Sequence, residues 1–114
     1  MNSAKPVLIQ FARGDQTVPN PTTTAILRAG KLTQFAVQYR NDLAYSANPG
    51  IPKNPHTFLT NIAIPAAAPY AIGAQRQIAE FFISNGVTVM DPDGPGSIFE
   101  VPTKDLPEQL NFIP

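Results

Sequence analysis

The chain carries one histidine, His56, the residue type most suited to taking up and returning a proton near neutral pH. A histidine becomes a general base when a carboxylate orients it. The acid fixes the imidazole tautomer and stabilises the imidazolium that forms as the ring takes a proton from serine. Asp15 is the candidate acid, because it follows the apolar run PVLIQFA (Pro6 to Ala12) through Arg13 and Gly14. Asp42 is the rival acid, on the segment after the second apolar run. A Gly-Asp pair after a strand is also an ordinary turn, whose carboxylate caps nearby backbone N–H groups. The four serines are Ser3, Ser46, Ser84 and Ser97, and none stands in a G-x-S-x-G string. Cysteine is absent, which removes thiol nucleophiles, disulfides and thiolate metal sites together. One histidine without cysteine gives no zinc ligand cluster, and no cofactor is implied.

These residues need a scaffold that brings Asp15 and His56 to one place. Pro6 to Ala12 reads as a buried strand, bounded by Pro6 and by Arg13-Gly14-Asp15. Asn20 is expected to cap a helix whose first position is Pro21 and which stops at Gly30. Gln34 to Tyr39 is a second β-prone run, so Pro6 to Tyr39 has the order strand, helix, strand of a parallel crossover unit. In such a unit the loops leaving both strands emerge at the carboxyl edge of the sheet, where these folds place ligands. Asp15 leaves the first strand at that edge. His56 lies on the long, proline-rich segment leaving the second, Arg40 to Pro55, which reads as a structured loop. Strands about 4.8 Å apart would let the two side chains meet.

Further on, Ala71, Ala74, Ile78, Phe81 and Phe82 recur at spacings of three and four. They predict an amphipathic helix over Tyr70 to Ser84, closed by Asn85-Gly86, with Phe81 and Phe82 in the core. Val87 to Met90 and Ile98 to Val101 flank Asp91-Pro-Asp-Gly-Pro-Gly96 and predict a short hairpin. Asp91 and Asp93 read as turn residues, since no glutamate follows at calcium-loop spacing. Lys104 to Pro114 reads as a packed tail.

The string VLIQFARGDQTVP (Val7 to Pro19), with Gly14, Asp15 and Val18-Pro19, resembles the acid-bearing segment of the α/β-hydrolase superfamily. The helix after it, the strand at Gln34 to Tyr39, Pro55-His56-Thr57-Phe58 and the final helix follow that family's order, so the similarity spans about Lys5 to Gly86. The resemblance implies an α/β chain holding part of an α/β-hydrolase fold: the last two parallel strands, the crossover helix and the final helix, with the short C-terminal β-hairpin read above lying beyond the usual fold. It implies residues 1–86 as the C-terminal part of the domain and 87–114 as its extension. It further implies Asp15 as triad acid and His56 as triad base of a serine ester hydrolase, esterase or lipase-like. The nucleophile elbow and oxyanion loop of that family have no counterpart here. The chain is therefore expected to supply acid and base only, to be inactive alone, and to act on a small-molecule or lipid ester in a parent enzyme. The alternative is a non-catalytic α/β assembly or binding module derived from a hydrolase.

Composition limits the partners. Eight basic and eight acidic residues give zero net charge, and charged residues are 14% of the chain against about 25% usually. That leaves no electrostatic footprint for nucleic acid or an anionic membrane surface. The start, Met1 to Lys5, has no apolar h-region, and Asn61 to Ala74 is broken by Pro65 and Pro69, so neither a signal peptide nor a membrane span is expected. No compartment follows from this. With few strands in view, a sheet edge is expected to lie open, which favours self-association or pairing with a missing N-terminal part.

Overall fold

Four residues of the first apolar run, Ile9–Ala12, form strand β1 in the computed structural model, which describes residues 5–114. Helix α1, Asn20–Gly30, follows and carries the chain back to β2, Ala36–Tyr39. The two strands run parallel, from Ile9 opposite Ala36 to Ala12 opposite Tyr39. Period-two alternation then sorts their side chains between two faces. Phe11 and Ala36 pack with Leu27 of α1 on one face. Ala12, Val37 and Tyr39 pack on the other with Ala44, from α2 (Asn41–Ala47), and with Ala67 and Ala74, at the start and in the body of α3 (Ala68–Ile83). The sheet is thus clasped by α1 on one side and by α2 and α3 on the other. Leu27 is fully buried, which stabilises the α1 side by about 1.5–3 kcal/mol.

Sequence and structure part at several points. Pro19, not Asn20, occupies the cap of α1, and Asn20 turns inward, 1% exposed. A cap side chain must bond the first turn's N–H groups, whereas Asn20 is taken up by longer-range partners described below. The left-handed residue closing α1 is Lys31, φ 54°, just beyond Gly30. The segment Arg40 to Pro55 is not all loop. Its first half is α2, anchored by buried Ala44 and by Asn41, whose side-chain amide donates to Pro52 O at 3.1 Å. Phe81 is core but Phe82 is 73% exposed, since neighbouring positions on a helix point about 100° apart.

The C-terminal hairpin is not formed. Val87 to Met90 carries no strand, and β3, Phe99–Glu100, pairs antiparallel with β2 instead. The reason lies in the turn before it: the Asp93 carboxylate accepts from Ile98 N at 2.9 Å and Phe99 N at 3.3 Å, aiming the chain at the free edge of β2. Arg40 N then donates to Ile98 O at 2.6 Å and Thr103 N to Ala36 O at 2.8 Å. Buried Glu100 is held by Gln38 Nε2 and Arg40 Nη1, both at 2.9 Å, and by Lys104 N at 3.0 Å. The resulting sheet has the order β1-β2-β3, mixed in direction, with β1 at an edge. Three helices and three strands make the described residues an α/β mix. None of these helices is long and apolar enough to cross a membrane.

The tail after Lys104 packs on α1. Leu106 joins Phe11, Leu27 and Ala36. Glu108 takes a hydrogen bond from Thr24 and an ion pair with Arg28.

Candidate functional site

Because β1 and β2 are parallel, both release the chain at the same edge of the sheet. On the β1 side Arg13 N donates to Tyr39 O at 2.9 Å, which extends the ladder by one residue before the turn. Gly14 makes that turn at φ +83°, with its N–H bonded to Asn20 Oδ1 at 3.1 Å. A Cβ there would lie 2.7 Å from Asn111 O, so glycine is required both by backbone conformation and by the tail packed against it. Asp15 follows with a side chain 15% exposed. Its Oδ1 accepts from Thr17 N at 2.8 Å and Val18 N at 2.9 Å, the local turn capping that its sequence context allows.

On the β2 side the chain passes through α2 and a loop pinned by buried Ile51 before reaching His56. Beyond the histidine, Phe58 stacks on Tyr39 with ring centroids 4.9 Å apart and planes at 16°. Tyr39 also meets Tyr70 and Phe99 at 5.7 and 5.5 Å, so the last residue of β2 becomes an aromatic anchor for the histidine loop. Burial, with the Tyr70 hydroxyl nearby, pushes the Tyr39 phenol up, and it stays neutral under ordinary conditions.

The two loops bring His56 Nδ1 to 3.0 Å from Asp15 Oδ2. An ionised carboxylate only accepts, so Nδ1 must carry the hydrogen and the lone pair of the neutral ring falls on Nε2. Among the described residues Nε2 has no hydrogen-bond partner. The imidazole is 42% exposed and opens on a groove of about 410 Å³ lined by Ile9, Phe11, Val18, Ile26 and Phe58, together with Asp15 and His56. Chemically this is an oriented base beside an apolar surface, able to take a proton at Nε2 while Asp15 stabilises the resulting cation.

Asp42, the rival acid, is committed elsewhere. Arg40 grips it with Nε and Nη2 at 2.9 and 2.8 Å, and Arg13 Nε lies 3.6 Å away. Burial works to raise its carboxyl, but the Arg40 hydrogen bonds and the charges of Arg40 and Arg13 outweigh that and hold it below the usual carboxylate range. Among the described serines, none bonds His56; Ser84 donates to Phe81 O and accepts from Thr88 N at the end of α3. Ser3 lies outside the described residues. A larger cavity, about 690 Å³, is lined by Arg13, Arg40, Glu100 and Lys104 but contains neither Asp15 nor His56. Both arginines there already face carboxylates, so the smaller groove is the better chemical candidate.

Asn54 escaped the sequence reading. Its side chain touches both loops: Oδ1 accepts from Gln16 N at 3.1 Å and from His56 N at 3.2 Å, and Nδ2 donates to Thr17 Oγ1 at 3.3 Å. The available signal was an asparagine two residues before the histidine, a spacing at which its side chain can bond the backbone. Compared with known proteins, the chain matches no family profile, no curated protein and no solved structure.

Proposed function

We propose that this chain supplies the acid and base of a serine carboxylic ester hydrolase, Asp15 orienting His56, with the nucleophile and oxyanion donors on residues outside these 114. The observation that supports this reading is the Asp15–His56 pair itself. One carboxylate oxygen is pinned by two backbone N–H groups, the other holds Nδ1, and Nε2 is left without a partner beside an apolar groove. The partial α/β-hydrolase arrangement belongs to the same proposal. Acyl transfer would begin with His56 Nε2 taking the proton of an incoming serine and then returning it to the leaving alcohol. The substrate would be a small-molecule or lipid ester.

The open edge of β1 favours a protein partner as well. One side of the strand pairs with β2, and among the described residues no strand lies on the other. Apolar grooves flank that edge on both faces: Val18 and Ile26 line one, and Leu8, Ile78, Phe81 and Phe82 line another of about 320 Å³. Unpaired strand groups beside apolar grooves suit strand addition, by the nucleophile-bearing part or by a second copy. The same surface would serve a purely non-catalytic assembly module.

Three measurements test the catalytic reading. The coding DNA upstream of Met1 is expected to hold an in-frame strand, G-x-S-x-G and helix; an upstream region without them removes the parent enzyme. The 114-residue chain alone should not hydrolyse a p-nitrophenyl ester. Hydrolysis by the chain alone that His56→Ala abolishes would overturn the half-site assignment. In the whole enzyme, Asp15→Asn should lower kcat by about 10⁴-fold through the wrong imidazole tautomer.

A further inference from the structure

We infer that Asn54 is a positioning residue for the Asp15–His56 pair, its carboxamide locking the loop that carries the acid to the loop that carries the base. The inference rests on the proposed function only for its catalytic consequence; the coupling itself is a property of this chain.

The acid and base stand 41 residues apart, on separate loops. Aside from their own contact, two side-chain hydrogen bonds join those loops directly around them, and Asn54, on the histidine loop, makes both. Its Oδ1 takes both Gln16 N, next to the acid, and His56 N, the base's own backbone amide. Its Nδ2 donates to Thr17 Oγ1, on the residue whose N–H caps Asp15 Oδ1. One rigid carboxamide thereby fixes the backbone of the histidine against the turn that orients the aspartate. Asn54 reaches neither Nδ1 nor Nε2, so it acts through the geometry of the pair and not on the proton. Without it, each loop keeps its own anchor, Gly14 on Asn20 for one and Phe58 on Tyr39 for the other, but the distance between the two carboxyl-edge loops is no longer set.

The test reads which ring nitrogen carries the proton. With Asp15 in place the neutral ring is held as Nδ1–H; a histidine released from its carboxylate reverts toward Nε2–H. The 114-residue chain, labelled with ¹⁵N-histidine, gives this ratio directly, because it holds a single imidazole. Asn54→Ala should lower the ratio of Nδ1–H to Nε2–H by about fivefold, the effect of losing one typical hydrogen bond. Asn54→Asp should restore it. The variant's carboxylate keeps both acceptances, and the Thr17 hydroxyl can turn to donate. Its added charge alters how readily the ring is protonated, not which nitrogen of the neutral ring holds the hydrogen. Should Asn54→Ala fail to fold, Thr17→Val removes only the Nδ2 partner and should shift the ratio in the same direction.

A purely structural asparagine would lower the melting temperature while folded molecules kept the parent tautomer ratio; that result overturns the inference and leaves the acid–base pair intact. Asp15→Asn separates the two levels. If it leaves the ratio unchanged, the pair itself does not exist in solution, and both the proposed function and this inference fall.

Discussion

Asn20 offers the sharpest check of how the acid-bearing turn is held. Its side chain is 1% exposed and spans three segments: Oδ1 accepts from Gly14 N at 3.1 Å, and Nδ2 donates to Gln109 O at 2.8 Å and to Asn111 Oδ1 at 2.9 Å, with Leu110 O at 3.3 Å. Asn20→Ala leaves the Gly14 N–H buried without an acceptor, which costs about 1–3 kcal/mol, and removes tail bonds of about 1 kcal/mol each. Partial access of water to the tail reduces the sum, so roughly 2–4 kcal/mol is expected, a large share of the 5–15 kcal/mol typical of a domain. The assay is urea unfolding, read as a midpoint shift at constant slope, with hydrogen exchange of residues 107–114 alongside. Asn20→Asp sharpens the test. The new carboxylate keeps the Gly14 acceptor but faces Gln109 O, Leu110 O and Asn111 Oδ1 with no hydrogen to offer. Its folded pKa must therefore lie above the unfolded one, and the variant should be most stable in acid and lose ground as pH rises. An Asn20→Ala protein within 0.5 kcal/mol of the parent, with tail exchange unchanged, would show that Asn20 does not tie the acid-bearing turn to the tail.

Three further outcomes follow from the same contacts. Asp42 has its carboxyl held below the usual range by Arg40 and Arg13 against the opposing effect of burial, so its contribution is complete above the unfolded value of about 3.9 and disappears as pH falls through the folded one. Asp42→Asn should accordingly cost about 1 kcal/mol at pH 7, after allowing for solvent screening, and progressively less in acid as the pH drops below the unfolded value; a loss that does not change with pH would discount the ion pair. Gly86→Ala should destabilise by at least about 2 kcal/mol in thermal unfolding, because φ is +79° and the new Cβ would collide with Pro6 Cβ; an unchanged melting temperature would show that the α3 terminus relaxes freely. The open β1 edge should make sedimentation of the chain concentration-dependent, and Val7→Lys, at a half-exposed position beside that edge, should shift it toward monomer; a parent chain that is monomeric throughout would count against edge pairing.

Local chemistry determined much of this protein in the sequence itself. The apolar runs around Ile9–Ala12 and Ala36–Tyr39, the proline-started helix between them, the three-and-four spacing of α3 and the Asn85-Gly86 stop were all legible, because each depends on neighbours within a turn or two. The parallel order of the two strands carried one step further, predicting that Asp15 and His56 would leave the same sheet edge. What tertiary structure alone decided involves choices between competing partners. Phe99–Glu100 had two edges to pair with and took β2, because Asp93 directs it there. Asp42 could have oriented the histidine, yet two arginines hold it. Asn20 could have capped its own helix and instead binds a tail 89 to 91 residues away. A polar side chain's local options are written in its neighbourhood, but which one it uses depends on what the folded chain brings within 3 Å. The bridge of Asn54 between the acid and base loops belongs to that second kind.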